Sequence, residues 1–282
     1  MPITDADYKY SWALGEVLEL GVPVETRNHK VLSQIEAYPI KFHTAPIVSV
    51  RKTAVKMALK EMEWFMSGDE KCPTSLLGWW EKQLDSEGKY KHGYGHQMRR
   101  FGGSFDQVAF ILGALVTNPH SRRLIMTTWH PEEMAGITTT NGNPNTPTTC
   151  HGTSTQFFVR NGSLNMQTYQ RSADIMLGVP HNWIQYWALL QFFAYHTNLA
   201  VGSMRWVFGD LHLYDHPSHT DTANAIVKTC DENTRSRLLE PSLKYEYSGQ
   251  LDHAGLPKFV ASDFSVSGLV PAPIVTTRPE LF

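Results

Sequence analysis

The spacing of apolar residues predicts two amphipathic helices in the first half of the chain. Residues 53 to 66 carry their apolar side chains at helical spacing: Val55, Ala58, Leu59, Met62, Phe65 and Met66. Gly68 follows as a stop signal, and a second pattern of this kind runs from residue 105 to 117, before Asn118-Pro119. Glu61 falls on the border of the first apolar stripe. An acid at such a border is either solvated or held at the edge of a buried site.

From residue 122 onward the period changes to two, which predicts strands. LIMTTW (124–129) and MRWVFGDLHLY (204–214) read as strands, and residues 155–171 read as a hairpin turning at Asn161-Gly162. On the second strand of that hairpin, alternate residues share a face: Gln167, Tyr169 and Arg171 on one side, and Met166, Thr168 and Gln170 on the other. Residues 181–198 are apolar on almost every side, which predicts a buried central helix.

Helices and strands interleave without a regular βαβ repeat. This order predicts an α/β (α+β) fold, in which helices flank one large sheet. The chain shows no internal repeat, no low-complexity tract and no linker, so we expect residues 1–282 to form a single domain.

Composition narrows the classes of function. Of the 282 residues, 41% are hydrophobic and 18% charged, which is typical of a globular protein. A formal net charge of −2 gives no general attraction to nucleic acid or to an anionic membrane. No apolar run approaches the roughly 18 residues of a membrane helix, and the first residues do not resemble a signal peptide. Three widely spaced cysteines fit a reducing compartment, so we expect a cytoplasmic protein.

Cys150-His151 is the first candidate for chemistry. A thiol is a poor nucleophile at neutral pH unless positive charge stabilises its thiolate form. Arg122, Arg123 and Arg171 stand at strand ends from which they could converge on the thiol. Cys150 could equally be a small buried hydrophobic residue.

YQRSADIMLGVPHN (169–182) is the second candidate. Arg171 and Ser172 could hold a phosphate through charge-assisted hydrogen bonds, and Asn182 could pair with an amide-like edge. The alternative is a strand-to-helix turn that is capped by Ser172 and Asp174.

GDLHLYDHPSH (209–219) is the third candidate. Its histidines, His212, His216 and His219, could bind a metal, but their intervals match no common zinc spacing.

These segments together resemble the thymidylate synthase family. SRRLIMTTW, TCHGTSTQFFV, GSLNMQTYQRSADIMLGVPHN and GDLHLY occur in the order of that family's signature segments, and so do PIVSVRKTAVKMALKEMEWFMSGD, GWWEK and YGHQMR upstream. The resemblance covers about residues 27 to 220, so that 1–26 and 221–282 are divergent. It implies a large mixed sheet flanked by helices, and a homodimer packed sheet to sheet. Each subunit of that dimer would lend Arg122 and Arg123 to the partner's site.

The resemblance also implies a reaction. Cys150 would attack C6 of a pyrimidine nucleoside monophosphate, and C5 would then take a one-carbon unit from 5,10-methylene-tetrahydrofolate. Glu61 would organise water and relay protons, with Tyr94 and His151 as supporting residues. Neither a metal nor a nucleic-acid or membrane partner is expected.

The remaining implied roles concern binding. Residues matching the nucleotide site are Arg27, Arg122, Arg123, Gln170, Arg171, Ser172, Asn182, His212 and Tyr214. Within this set the arginines and the serine would hold the phosphate, and the arginines would also lower the pKa of the thiol. Asn182 would read a uracil edge, while His212 and Tyr214 would bind the sugar 3′-hydroxyl. Residues matching the folate pocket are Trp80, Asp174 and Gly178.

Three departures from the family pattern bear on the product. The phosphate loop reads Arg27-Asn28-His29-Lys30 instead of a glycine-rich sequence, and Thr148-Thr149 replaces two prolines before Cys150. The chain ends VTTRPELF, whereas the family closes its site with a short tail ending in a small aliphatic residue. A site left open to water favours a hydroxymethyl product over a methyl product.

Glu61-x-Glu63-Trp64 also resembles the deoxycytidylate hydroxymethylase form of this helix, while Trp80 and His151 are synthase-like. We therefore expect a deoxyuridylate hydroxymethylase, with thymidylate synthase as the alternative. Two remoter alternatives are a metal-dependent hydrolase and a homologue that has lost catalysis and binds nucleotide or RNA. The complete set of Cys150, Arg171 and Asn182 argues against the latter.

Overall fold

A seven-stranded mixed sheet forms the centre of the fold, in the order β1-β2-β7-β6-β5-β4 with β3 also paired to β7. The structure is a computed structural model that describes residues 2–26, 29–133, 149–233, 238–268 and 275. The strands of this sheet are β1 (Val22–Glu25), β2 (Lys30–Gln34), β3 (Ile40–Phe42), β4 (Ile125–Met126), β5 (Ser154–Arg160), β6 (Ser163–Asp174) and β7 (Ala200–Tyr214). A separate two-stranded sheet pairs β8 (Ser242–Tyr245) with β9 (Phe264–Ser267). The predicted mixed α/β architecture is confirmed.

The β5–β6 hairpin follows its sequence pattern. Asn161 has φ 50° and Gly162 has φ 73°, which are the positive values that a two-residue type I′ turn requires at both central positions. Along β6 burial alternates, and Met166, Thr168 and Gln170 share one face as predicted; that face is the one turned to the core. The register of β6 is therefore fixed by a local turn and by the core face together.

Seven helices can be assigned in the described part of the chain: α1 (Asp5–Leu20), α2 (Val55–Ser67), α3 (Leu77–Trp80), α4 (Tyr94–Arg100), α5 (Gln107–Thr117), α6 (Val179–His196) and α7 (Pro217–Asn233). The predicted helices at 53–66, 105–117 and 181–198 correspond to α2, α5 and α6. Gly68 ends α2 with φ 74°, a left-handed conformation that glycine adopts without steric cost. None of the helices within the described ranges is long and apolar enough to cross a membrane.

Helix α6 lies in the core and carries large aromatic residues. Trp183 is fully buried, with Tyr10 of α1 edge-on at 6.2 Å and Phe42 of β3 at 4.8 Å between ring centroids. Pro180 stands in the first turn, where its missing N–H costs no helical hydrogen bond. The packing of Trp183 holds the first turn of α6, with Asn182, against the end of the sheet.

The pairing of β6 with β7 is the parallel one, whereas the other pairs in the large sheet are antiparallel. Its register places Ser172 opposite Asp210 and Asp174 opposite His212. The carboxyl ends of these two strands therefore lie side by side at one edge of the sheet, where α6 begins. Such an edge is where α/β proteins commonly bind ligands.

The predicted strand LIMTTW is shorter than expected, since β4 holds Ile125–Met126 alone. The side chain of Gln107 accepts the Thr127 N–H at 2.9 Å, and Thr127 donates its hydroxyl to the Thr153 carbonyl at 2.6 Å. At Thr127 side-chain bonds thus take the place of ladder bonds, while the Thr128 N–H still donates to the Gly152 carbonyl at 3.1 Å.

Candidate functional site

Cys150 lies beside Arg171 at the end of β6. The Arg171 guanidinium donates to Cys150 Sγ at 3.7 Å and to the Thr149 carbonyl at 3.2 Å. The Arg171 N–H also binds the Cys150 carbonyl at 2.9 Å, so backbone and side chain both hold the two residues together. The guanidinium carbon is 5.0 Å from the centre of the Trp129 ring, in a cation–π contact that fixes its direction.

Opposing effects act on the Cys150 thiol. Burial raises its pKa above the ordinary value, while the charge of Arg171 and a hydrogen bond with Tyr94 lower it. Burial dominates, so the pKa of the thiol stays above its ordinary value within one chain although Arg171 lowers it, as expected of the arginines. More positive charge near Sγ is needed to favour the thiolate.

Tyr94 and His151 form a stacked pair next to Cys150. Tyr94 Oη accepts the Cys150 N–H at 2.7 Å, and the two rings lie 4.2 Å apart at an interplanar angle of 13°. Burial lowers the pKa of His151 to about 3, so its ring is neutral at physiological pH. His151 Nδ1 lies 3.2 Å from Tyr186 Oη. His151 therefore supports the site by packing and hydrogen bonding, and contributes no positive charge.

Gly152 makes this packing possible. It has φ +62°, and a Cβ there would lie 1.7 Å from Tyr186 Oη. Because a side chain would meet both backbone strain and a direct clash, glycine is required immediately after Cys150-His151.

A row of buried side chains crosses the floor of the site. Trp206 Nε1 donates to Gln170 Oε1 at 3.0 Å, and Gln170 Nε2 donates to Asn182 Oδ1 at 3.1 Å. Asn182 Nδ2 donates to Gln185 Oε1 at 3.0 Å, and Gln185 Nε2 donates to Glu61 Oε2 at 2.5 Å. We call these five side chains the amide row. Each amide uses one donor and one acceptor within the row, so its orientation is fixed and Asn182 keeps capacity for one further bond of each kind.

Glu61 ends the amide row and is 7% exposed. Burial raises the pKa of its carboxyl to about 7, against the effect of hydrogen bonds donated by Trp80 Nε1 and Gln185 Nε2. The sequence pattern put Glu61 at the border of the apolar stripe, where it could be either solvated or held at the edge of a buried site. In the structure its side chain is buried. A carboxyl that titrates near neutral pH can give or take a proton there.

Trp80 joins Glu61 to an aromatic cluster. Its ring lies edge-on to Trp64 at 5.2 Å and to Phe65 at 5.8 Å, and 4.9 Å from Tyr90. The indole itself remains partly exposed. Trp80 thus offers an aromatic surface at the mouth of the site, directly beside the titrating carboxyl.

The turn between β6 and α6 is capped by Asp174, as the alternative reading of this segment proposed. Asp174 Oδ1 accepts the N–H groups of Met176 and Leu177, each at 2.9 Å. Gly178 follows, and a Cβ there would lie 3.2 Å from Asn182 Oδ1. Ser172 is partly buried on β6, two residues before Asp174.

His212 and Tyr214 lie on β7 as predicted, with ring centroids 5.8 Å apart. His212 Nδ1 lies 3.2 Å from the Asp210 carbonyl, and His216 Nδ1 lies 2.9 Å from Ser218 Oγ. His212, His216 and His219 bring no three ligand atoms together in the part of the chain that the structure describes. The metal reading of this segment is therefore not supported.

Two groups of predicted residues stand apart from this arrangement. Arg122 and Arg123 are exposed in the turn before β4, where the Arg122 carbonyl accepts from Gln156 Nε2 at 2.9 Å. Neither makes a side-chain contact with Cys150 among the described residues. Arg27 and the tail at 276–282 lie outside the described residues.

Gln185, Tyr186 and Trp129 contribute to the site and were missed from the sequence. Gln185 carried a usable signal, because it is a polar residue three positions after Asn182 within an otherwise apolar helix. Tyr186 and Trp129 carried none, since aromatic residues at such positions are most often core.

Comparison with known families agrees with this geometry. Residues 8–279 match the family model described as thymidylate synthase. The match extends beyond the span of about 27–220 over which the sequence motifs were recognised, into both segments that were taken as divergent. The chain belongs to the thymidylate synthase family, whose reaction is folate-dependent transfer of a one-carbon unit to C5 of a pyrimidine nucleotide.

Proposed function

We propose that the protein converts deoxyuridylate to 5-hydroxymethyl-deoxyuridylate, with 5,10-methylene-tetrahydrofolate as one-carbon donor and Cys150 as covalent nucleophile. The amide row carries this proposal. It presents Asn182 with one donor and one acceptor to spare, which matches the N3–H and O4 of uracil. It ends at Glu61, whose pKa of about 7 suits proton transfer to or from water.

Cys150 begins the reaction. Its sulfur bonds to C6 of the ring, the C5–C6 π electrons move toward O4, and the thiol proton passes to solvent. C5 thereby becomes nucleophilic and can accept the one-carbon unit that the folate supplies when bound. Once the one-carbon unit is attached, C5 gives up its proton to a base or to water at the site. At the end of the cycle the electrons held toward O4 re-form the C5–C6 double bond, and the S–C6 bond breaks with its electrons leaving on the Cys150 thiolate. Arg171, 3.7 Å from Sγ, stabilises the thiolate at both stages.

The residues assigned to the folate fit such a ligand. Trp80 offers a partly exposed aromatic face for a flat ring. The Asp174 carboxylate uses Oδ1 for its own turn, and a carboxylate has a second oxygen that can accept an N–H of a pterin. Gly178 keeps the start of α6 free of a side chain beside Asn182.

The nucleotide phosphate completes the electrostatics of the proposed site. Arg171 and Ser172 hold it from one chain, together with Arg27, and the partner's Arg122 and Arg123 hold it from the other. Supporting this arrangement, Arg122 and Arg123 are exposed, and neither is among the groups that lower the pKa of Cys150 in their own chain, where the thiol pKa stays raised. His212 and Tyr214 bind the sugar 3′-hydroxyl.

The protein then works as a homodimer in the cytoplasm, a compartment that suits its three free cysteines.

The product depends on what adds to the methylene group at C5 before the nucleotide leaves. Water gives hydroxymethyl, and hydride from the folate gives methyl. Thr149 is fully buried, with its hydroxyl donating to the Thr128 carbonyl at 2.7 Å, so a polar group stands beside Cys150 where the family carries proline. With Glu61 positioned to activate water, these features support the hydroxymethyl product. The synthase-like Trp80 and His151 favour thymidylate as the alternative.

Mass analysis of the nucleotide product tests the proposal. Deoxyuridylate and methylene-tetrahydrofolate should give a product one oxygen heavier than thymidylate, with tetrahydrofolate released and no dihydrofolate. A Cys150→Ser preparation serves as the control for chemistry outside the site. Dihydrofolate formed in equal amount to a methylated product would overturn the proposed product and make this protein a thymidylate synthase.

A further inference from the structure

Two histidines flank Tyr94 at the start of α4 and face a glutamate from a distant part of the chain. His92 precedes the helix, His96 lies in its first turn, and Glu133 comes from the segment that follows Trp129. Ligand atoms from these three residues all lie within 4.8 Å of one another. Two imidazoles and one carboxylate form the ligand set of many open zinc sites.

The distances within this cluster suit a shared cation better than direct hydrogen bonds. His92 Nδ1 lies 3.5 Å from Glu133 Oε2, and His96 Nε2 lies 3.5 Å from Glu133 Oε1. A good N–H···O bond is about 2.9 Å long. Ligand atoms about 2.0 to 2.1 Å from a tetrahedral zinc ion lie about 3.3 Å from each other. Each histidine nitrogen thus lies from one Glu133 oxygen at close to the separation of two ligands on one ion, with the two histidines on different oxygens of the carboxylate.

His96 has carboxylates near both ring nitrogens but makes no hydrogen bond with them. Its side chain is 12% exposed, and both ring nitrogens are buried without a hydrogen-bond partner among the described residues. Leaving buried polar atoms unpaired is costly, and such atoms in native proteins usually mark an ion, a water or a functional role. A cation on Nε2 would satisfy one of them.

Neighbouring polar side chains hold His96 and Glu133 in position. Glu70 Oε1 lies 3.4 Å from His96 Nδ1, on the side of the ring opposite Glu133. A carboxylate in that position orients a ligating imidazole and makes it a stronger donor. Gln97 Nε2 donates to Glu133 Oε2 and to the His92 carbonyl, which ties two of the three residues to one side chain.

We propose that His92 Nδ1, His96 Nε2 and the Glu133 carboxylate bind one Zn²⁺ ion, with water in the fourth position. Borderline divalent ions suit this mixture of nitrogen and oxygen donors. The ion joins the start of α4 to the segment after Trp129. Tyr94 lies between the two histidines and accepts the Cys150 N–H, while Trp129 packs on Arg171. The site therefore acts as a positioning element for the residues around Cys150, and it does not take part in bond making.

Calorimetric titration with ZnCl₂ in a Cys150→Ser background tests the site, because that background removes the partly exposed thiol as a competing ligand. We expect one Zn²⁺ per chain. His92→Ala and Glu133→Gln should each weaken binding more than about tenfold. His92 is 49% exposed, so its truncation leaves the fold intact. His253→Ala removes an exposed histidine outside the cluster and should leave binding unchanged.

Substitution with Co²⁺ provides an independent readout of the ligands. Tetrahedral coordination by nitrogen and oxygen should give strong visible absorption without a sulfur charge-transfer band, and His92→Ala should remove it. Absence of saturable binding at one equivalent would overturn the proposal. Binding that persists unchanged in both His92→Ala and Glu133→Gln would overturn it equally.

Discussion

Replacing Glu61 by glutamine should make the stability of the protein less dependent on pH. The carboxyl has a pKa of about 7 in the folded protein, against 4.5 for its ordinary value. Below pH 4.5 it is protonated in both the folded and the unfolded state, and burial then carries no charge penalty. As pH rises toward 7 the unfolded chain ionises first, so wild type loses stability across this interval. Above about pH 8 both states are ionised and the penalty stays constant.

The size of this effect follows from the two pKa values. One pKa unit corresponds to about 1.4 kcal/mol, and linkage between 4.5 and about 7 gives a loss of about 2 to 3 kcal/mol between pH 5 and pH 8. Glutamine in place of Glu61 faces donors from both Trp80 and Gln185, so the variant also carries a cost. That cost does not vary with pH. It therefore cancels when the two proteins are compared by the slope of the free energy of unfolding against pH.

Urea unfolding of both proteins at several pH values from 5 to 8, at one protein concentration, measures the difference. Wild type should lose stability relative to Glu61→Gln as pH rises. Glu63→Gln makes the same chemical change two residues along α2, where the carboxylate accepts the Ala261 N–H at 3.1 Å, and reports the general effect of removing one charge from this helix. Trp80→Phe removes one of two donors and should move the transition to higher pH. If the free energy of unfolding varied with pH in the same way in wild type and Glu61→Gln, the argument that Glu61 is desolvated would be refuted.

The proposed chemistry leads to three further outcomes. Cys150→Ser should abolish turnover and retain nucleotide binding in equilibrium dialysis, and substantial remaining activity would contradict covalent catalysis. Asn182→Asp should shift the ratio of kcat/KM from uracil toward cytosine nucleotides by about 10- to 100-fold, since a buried unpaired group costs about 1 to 3 kcal/mol. An unchanged preference would show that Asn182 does not read the base. Mixing inactive Arg122→Ala and Cys150→Ser chains should restore activity, because one site of the mixed dimer carries neither defect. With subunit exchange demonstrated, absence of recovery would assign Arg122 to its own chain.

Local signals in the sequence predicted much of the fold. Gly68 and Asn161-Gly162 act through their own backbone conformations, so the end of α2 and the β5–β6 turn could be placed without tertiary information. A readable signal was missed at the N-terminus, where Thr4 and Asp7 form a capping box that starts α1.

The candidate site was predicted less completely, because its properties arise between distant segments. The pattern put Glu61 at an edge, but its raised pKa depends on burial against α6, where Gln185 lies 124 positions away. His92 and His96 stand at the spacing of one helical turn, yet the cluster becomes visible with Glu133, which the fold brings from beyond α5. Pairwise distances of this kind do not appear in a periodic pattern.

The amide row has one direction. Every donor in it points toward Glu61, so no member can be reversed without reversing its neighbour. Ionised aspartate at position 182 offers no donor to Gln185 Oε1, and Gln185 must then rotate, giving its own N–H groups to position 182 and turning its oxygen toward Glu61. Two facing oxygens need a proton between them, which Glu61 supplies when it is protonated. A change of base preference is therefore coupled to the proton on a carboxyl at the other end of the row. Activity that is lost on substitution at position 182 should therefore be restored by a second substitution at position 185 or 61.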